Sequence, residues 1–202
     1  MEFASTFLHE LTDVIGRIDT ADVESVAAVM RATRDRGGRL FFCGSGGGAG
    51  HASHATCDFR KLGGFEAYCV SDNVSELTAR VNDEGWDTAY SAWLDASRIG
   101  GRDCLFVFSV GGGSVEPPVS VNLVNAVRLA KDKGADVVGV VGRDGGYVRS
   151  VASASVLIPA GSSSLTTPEV EGLQAVIWHL LVSHPALAVG TAKWEGLDGQ
   201  SR

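Results

Sequence analysis

The chain has 202 residues, a formal net charge of −7 and 45% hydrophobic residues. That length suits one domain with a full core. The acidic balance excludes nucleic acid as the main partner, and no apolar run approaches the roughly 20 residues of a membrane span.

In chain order, residues 3–36 carry apolar positions at helical spacing. They are Phe7, Leu8, Leu11, Val14, Ile15 and Ile18, then Val23, Val26, Ala27, Val29 and Met30. Asp19-Thr20 offers a break and an N-cap between them, so a helical hairpin is expected over 1–36. Strands are expected over 39–43, 66–70, 104–109, 136–141 and 155–159. Helices are expected over 49–62, 74–82, 87–98, 120–133, 146–152 and 168–184. Short apolar runs without alternation, separated by helices, indicate a five-stranded parallel sheet covered on both faces. Thr167 is the expected N-cap of the last helix, with Pro168 as its first residue. The segment 189–202 reads as a polar tail. Cys43, Cys57, Cys69 and Cys104 form no C-x-x-C pair and read as reduced, buried thiols. The first residues show no basic and apolar leader, so a cytoplasmic setting is expected.

Three segments carry chemistry. Leu40 to Gly48 is a strand running into Gly44-Ser45-Gly46-Gly47-Gly48, followed by a helix with His51, His54 and Asp58. Glycines let backbone N–H groups approach a ligand, and a helix N-terminus favours an anion. His54 and Asp58, four apart, share one helix face. The segment is neither a Walker loop nor a dinucleotide fingerprint. A second strand, Leu105 to Ser109, runs into Val110-Gly111-Gly112-Gly113-Ser114. Both turns fall at the carboxyl edge of a parallel sheet, where ligands bind. Ser109 and Ser114 there serve either a ligand or their own backbone. The last helix carries Glu171, Gln174, His179 and His184.

These turns, with Asn82-Asp83-Glu84-Gly85-Trp86 and Gly142-Arg143-Asp144-Gly145-Gly146, resemble the SIS (sugar isomerase) domain family. Within it they resemble the group of phosphoheptose (sedoheptulose 7-phosphate) isomerases. The likeness runs from the hairpin to about His184 and implies one SIS domain over 1–188, a three-layer sandwich. It implies an aldose–ketose isomerase acting on sedoheptulose 7-phosphate in heptose biosynthesis. The alternatives are an isomerase of another sugar phosphate and a non-catalytic sugar-phosphate-binding or regulatory protein. It also implies His179 and Asp58 as catalytic groups, one Zn²⁺ per subunit on His54, Asp58, Glu171 and His179, and a homotetramer with sites near subunit contacts. Ser45, Gly46, Gly47, Asp83, Ser109, Ser114 and Glu171 would bind substrate. The chain departs from the family at Asp58, where Glu is usual, at Glu171, where Gln is usual, and at Ser45, where Asn is usual. Its phosphate loop carries Val110 and Gly111 in place of hydroxyl residues. Arg60-Lys61 is one source of the missing charge; the alternative is a solvated helix end. Arg143 reads as part of a turn, and Asp83 as a sugar contact or an Asx turn. Trp178 reads as core or subunit contact.

Overall fold

The computed structural model describes residues 2–161 and 164–193. Two helices open the chain, α1 (Phe3–Gly16) and α2 (Thr20–Asp35), and Asp19 caps the second by accepting from the Ala21 N–H. Then follow β1 (Leu40–Gly44), α3 (Gly47–Lys61), β2 (Ala67–Cys69), α4 (Val74–Glu84), α5 (Trp86–Ala96) and β3 (Cys104–Ser109). The chain continues through α6 (Val121–Asp132), β4 (Asp136–Val141), α7 (Gly146–Val151), β5 (Ala154–Leu157) and α8 (Thr166–Ser183). All strand pairs are parallel and the sheet order is β2-β1-β3-β4-β5. The expected strands and helices are all present, with ends moved by at most two residues.

Alternate strand residues fill two cores, one on each face. Phe42, Phe106, Phe108, Val138, Val140 and Val156 pack against α1, α2, α3 and α8 through Val26, Met30, Phe59, Leu173 and Trp178. Phe41, Cys43, Leu105, Val107 and Val137 pack against α5, α6 and α7 through Tyr90, Leu94, Leu123, Val127 and Val148. Strands buried on both faces explain why the sequence shows apolar runs instead of alternation. Trp178 is 1% exposed, so it is a core residue of this chain. Among the described residues no helix is long and apolar enough to cross a membrane.

Two details differ from expectation. The N-cap position of α8 is Leu165, so Thr167 and Pro168 both lie inside the first turn. Proline is tolerated there because the first-turn N–H groups have no intrahelical acceptor. Cys57 is exposed while the other three cysteines are buried, because the core face of α3 is Ala52, Ala55, Thr56 and Phe59. Of the expected tail, 194–202 lie outside the described residues. Val189 is still docked, donating its N–H to the Leu62 carbonyl.

One ion pair pins the start of β1 to the turn before β3. The Asp103 side chain accepts from the Arg39 backbone N–H, from its Nε and terminal nitrogen, and from the Gly100 N–H. Burial pushes the carboxyl pKa up, but these donors outweigh it and hold the pKa below the usual value. A lowered acid pKa stabilises the fold above the unfolded-state pKa, and that stability is lost as pH falls through the folded value. Asp103→Ala is therefore expected to cost about 3 kcal/mol at neutral pH. Urea melts should also show a smaller loss of stability below about pH 4 in the variant than in the parent chain.

Candidate active site

The sheet order places a topological switch point between β1 and β3, whose following connections leave in opposite directions. Ligands of open α/β folds bind in the crevice at that point. Here the crevice is a cavity of about 320 Å³ lined by Ser45 after β1, Ser109, Val110 and Gly111 after β3, and Ser120 before α6. Arg143 after β4 and Thr167, Glu171 and Gln174 of α8 also line it.

Two glycine-rich turns shape this space. A Cβ on Gly47 would stand 2.4 Å from Glu171 Oε2, so the Glu171 carboxylate lies directly on the first turn of α3. The anion favoured at that helix N-terminus is thus the chain's own side chain. The second turn docks on the loop after β4. A Cβ on Gly112, which has φ of +69°, would meet the Gly145 carbonyl at 1.9 Å. The Tyr147 and Val148 N–H groups donate to Gly113 and Gly112. The Gly142-to-Gly146 element is therefore a turn, as expected, closed by Gly145 N–H to Gly142 O, and it also carries Arg143 to the cavity.

The polar groups of the cavity are held in place. Ser109 Oγ accepts from the Gly112 N–H, which leaves its own proton free to donate. Asn122, 1% exposed, donates to Ser45 Oγ. Gln174 is fully buried and its Nε2 donates to the Val140 carbonyl. Its Oε1 is buried and has no partner among the described residues.

Outside the lining of this cavity, His54, Asp58 and His179 bring one ligand atom each to within 4.8 Å of one another. His54 Nε2 lies 3.8 Å from Asp58 Oδ2, and the His54 and His179 rings stand edge to face at 5.6 Å. The Trp178 indole stacks on His179 at 3.5 Å and meets His54 edge-on at 4.8 Å, forming an aromatic floor under both imidazoles. His179 Nδ1 lies 2.7 Å from the Ala175 carbonyl. A carbonyl only accepts, so Nδ1 carries the proton and Nε2 keeps a free lone pair.

Glu171 is not a member of this three-residue group. His51 lies one turn before His54, half-buried, with its ring 5.8 Å from Phe108. Burial, more than the neighbouring His179 and His54, lowers its pKa, and Glu171 opposes the shift. His51, His54 and Asp58 fall at i, i+3 and i+7 of α3, and that spacing was the signal for the whole face. Asp83 and Asn82 are exposed inside α4, which Gly85 ends, so neither an Asx turn nor a cavity contact forms within the chain. Asn82 Nδ2 instead donates to Asp83 Oδ1. Ser114 lines a neighbouring depression, and its backbone pairs with Val119. Arg60 donates to the Ala67 carbonyl and lies over Tyr68, away from the cavity. His184 bonds Glu24 and caps the Ala186 N–H, a structural duty.

The SIS domain model matches residues 6–142. The chain belongs to the SIS domain family. It is 37% identical over 169 residues to the lincomycin biosynthesis protein LmbN of Streptomyces lincolnensis, covering 78% of this chain and 60% of that protein. It is 32% identical over 164 residues to the phosphoheptose isomerase of Solidesulfovibrio magneticus, covering 79% and 74%. The fold matches the solved phosphoheptose isomerase GmhA of Neisseria gonorrhoeae with a TM-score of 0.76, covering 89% of this chain and 94% of that one at 22% identity.

Proposed function

We propose that this SIS domain is an aldose–ketose isomerase that converts sedoheptulose 7-phosphate to a heptose 7-phosphate. Relatives named phosphoheptose isomerase support the reaction class. The observation that carries the reading here is the His179 Nε2, left open by the Nδ1 contact to the Ala175 carbonyl, grouped with His54 and Asp58.

In this reaction a proton leaves C1 of the ketose and is returned to C2, while a hydroxyl proton moves from O1 to O2. It needs a base near the C–H, a proton carrier for the oxygens and stabilisation of the enediolate. His179 Nε2 takes and returns the carbon proton, the nitrogen that the Ala175 contact leaves open. Asp58 exchanges protons with the two oxygens. Ser45 and Ser109 fix the sugar hydroxyls and the phosphate end.

Two imidazoles and a carboxylate are also a donor set suited to Zn²⁺, although an ion held through His179 Nε2 would take the lone pair that the base role uses, so the two roles compete. Tetrahedral ligands lie about 3.3–3.6 Å apart at normal bond lengths. The observed spread of up to 4.8 Å therefore closes with small rotamer changes. Three protein ligands leave one position open, as catalytic zinc sites do. A bound ion would polarise the carbonyl.

A homotetramer belongs to the same reading. Val176 and Leu180 of α8 flank His179 and are about half exposed, as are Phe3, Leu8 and Ile15 of α1 or more so. Apolar surface next to exposed site residues suits cover by a second subunit. Light scattering should give four chains; a stable monomer would remove this part.

The enzyme is tested with a panel of pentose, hexose and heptose phosphates in D₂O, followed by NMR. Formation of a heptose 7-phosphate with deuterium at C2 is expected. Turnover of only a shorter sugar phosphate would change the substrate. Binding without turnover of any of them would make the domain a sensor.

A further inference from the structure

We propose that Arg143 is the charged anchor for the substrate's phosphate, in the role that the hydroxyl-poor loop after β3 cannot fill. The proposal rests on the sugar-phosphate reading above only for the rest of the ligand; its own chemistry is that of a phosphate monoester dianion.

The loop Ser109 to Ser114 offers side-chain donors only at its two ends, and Ser114 faces the neighbouring depression, not the cavity. The first glycine turn is closed to a second anion, because the Glu171 carboxylate already covers Gly47. A dianion entering a cavity that holds Glu171, in a chain of net charge −7, needs a fixed positive charge. Among the residues lining the cavity Arg143 is the sole cation. It takes part in none of the ion pairs, side-chain hydrogen bonds or aromatic contacts formed among the described residues. The other arginines nearest the sheet are occupied: Arg36 by Asp136, Arg39 by Asp103 and Arg60 by the Ala67 carbonyl.

The backbone around Arg143 is built to present this side chain. Arg143 has φ of +55°, a left-handed conformation that L side chains rarely adopt. The docking of Gly145 and Gly146 against Gly111, Gly112 and Gly113 holds the turn in that shape. A Cβ on Gly111 would lie 3.8 Å from Arg143 Cδ, so the arginine stem runs along the glycine loop. Arg143 lines both this cavity, together with Ser109, and the neighbouring depression of Ser114, and its planar paired donors match phosphate oxygens. The phosphate then lies at the rim by Arg143, and the sugar extends inward to Glu171 and Gln174.

The test uses inorganic phosphate and sedoheptulose 7-phosphate on the full chain. Arg143→Gln keeps much of the stem and removes the charge; Arg143→Asn removes the charge with a residue that tolerates positive φ. Charge-assisted hydrogen bonds to an anion correspond to about 10–100-fold in affinity. Calorimetric phosphate binding is expected to weaken by that factor in both variants. KM for the sugar phosphate should rise in step, with kcat within about threefold, and Arg143→Lys should recover part of the loss. Unchanged phosphate affinity in both variants, or no phosphate binding by the parent chain, overturns the anchor. Arg143-dependent phosphate binding without turnover of any sugar phosphate leaves the anchor standing and removes the isomerase reading. Turnover with KM indifferent to Arg143 does the reverse.

Discussion

Replacing His179 by Gln is expected to lower turnover of the accepted sugar phosphate by about 10²–10⁴-fold, the range for loss of a general acid–base group. The fold should survive. His179 is exposed, and its single hydrogen bond, to the Ala175 carbonyl within its own helix, is one that Gln can replace. Its neighbour Trp178 supplies the core contact at this point of α8. Stability measured by urea should therefore change by less than about 1 kcal/mol, as at other exposed sites. The loss should fall on kcat, because the proton transfer exists only in the transition state. A folded variant with near-parent turnover would move the base role to Asp58 or His51. A variant that fails to fold would give His179 a structural role that its exposure argues against.

The layout of this molecule is legible in the sequence wherever local pattern and burial agree. The runs Leu40 to Cys43 and Leu105 to Phe108 are apolar at every position because both faces of the sheet are covered; a strand with one wet face would alternate instead. His54 and Asp58 are legible because a single helix fixes their relation. What is not legible depends on how loops meet. Nothing local says that Gly112 and Gly145 touch, so by sequence Arg143 reads as a turn residue only. The burial of Gln174 needs the Val140 carbonyl, 34 residues away, to accept from its amide. Ser45 stands where the family usually has an amide, yet the amide of Asn122 reaches the same hydroxyl from α6. The family resemblance assigns Glu171 to the metal together with His179. Eight helical residues span about 12 Å of axis, and the two side chains serve different places: His179 joins His54, while Glu171 covers the start of α3.

That separation gives the metal hypothesis a sharp form. The purified chain is expected to bind one Zn²⁺ per subunit, and Asp58→Ala is expected to weaken that binding by more than about 100-fold. Loss of an outer-sphere partner alone costs about 10–100-fold, so loss of a direct ligand exceeds it. Asp58 is the one anionic member of the group, and its side chain is 19% exposed against 61% for His54. It is therefore the ligand least able to be replaced by water. Glu171→Gln removes a carboxylate that lies on Gly47, outside the group, and should change zinc affinity only a few-fold through its charge. Metal analysis after dialysis against a graded chelator reads both variants. Equal loss in the two would return Glu171 to the coordination shell and require α8 to move on binding. Retention of full zinc affinity by Asp58→Ala would remove the site from His54, Asp58 and His179. Those three would then act on the sugar as acid and base alone, with the imidazole of His54 orienting Asp58 across the 3.8 Å that now separates them.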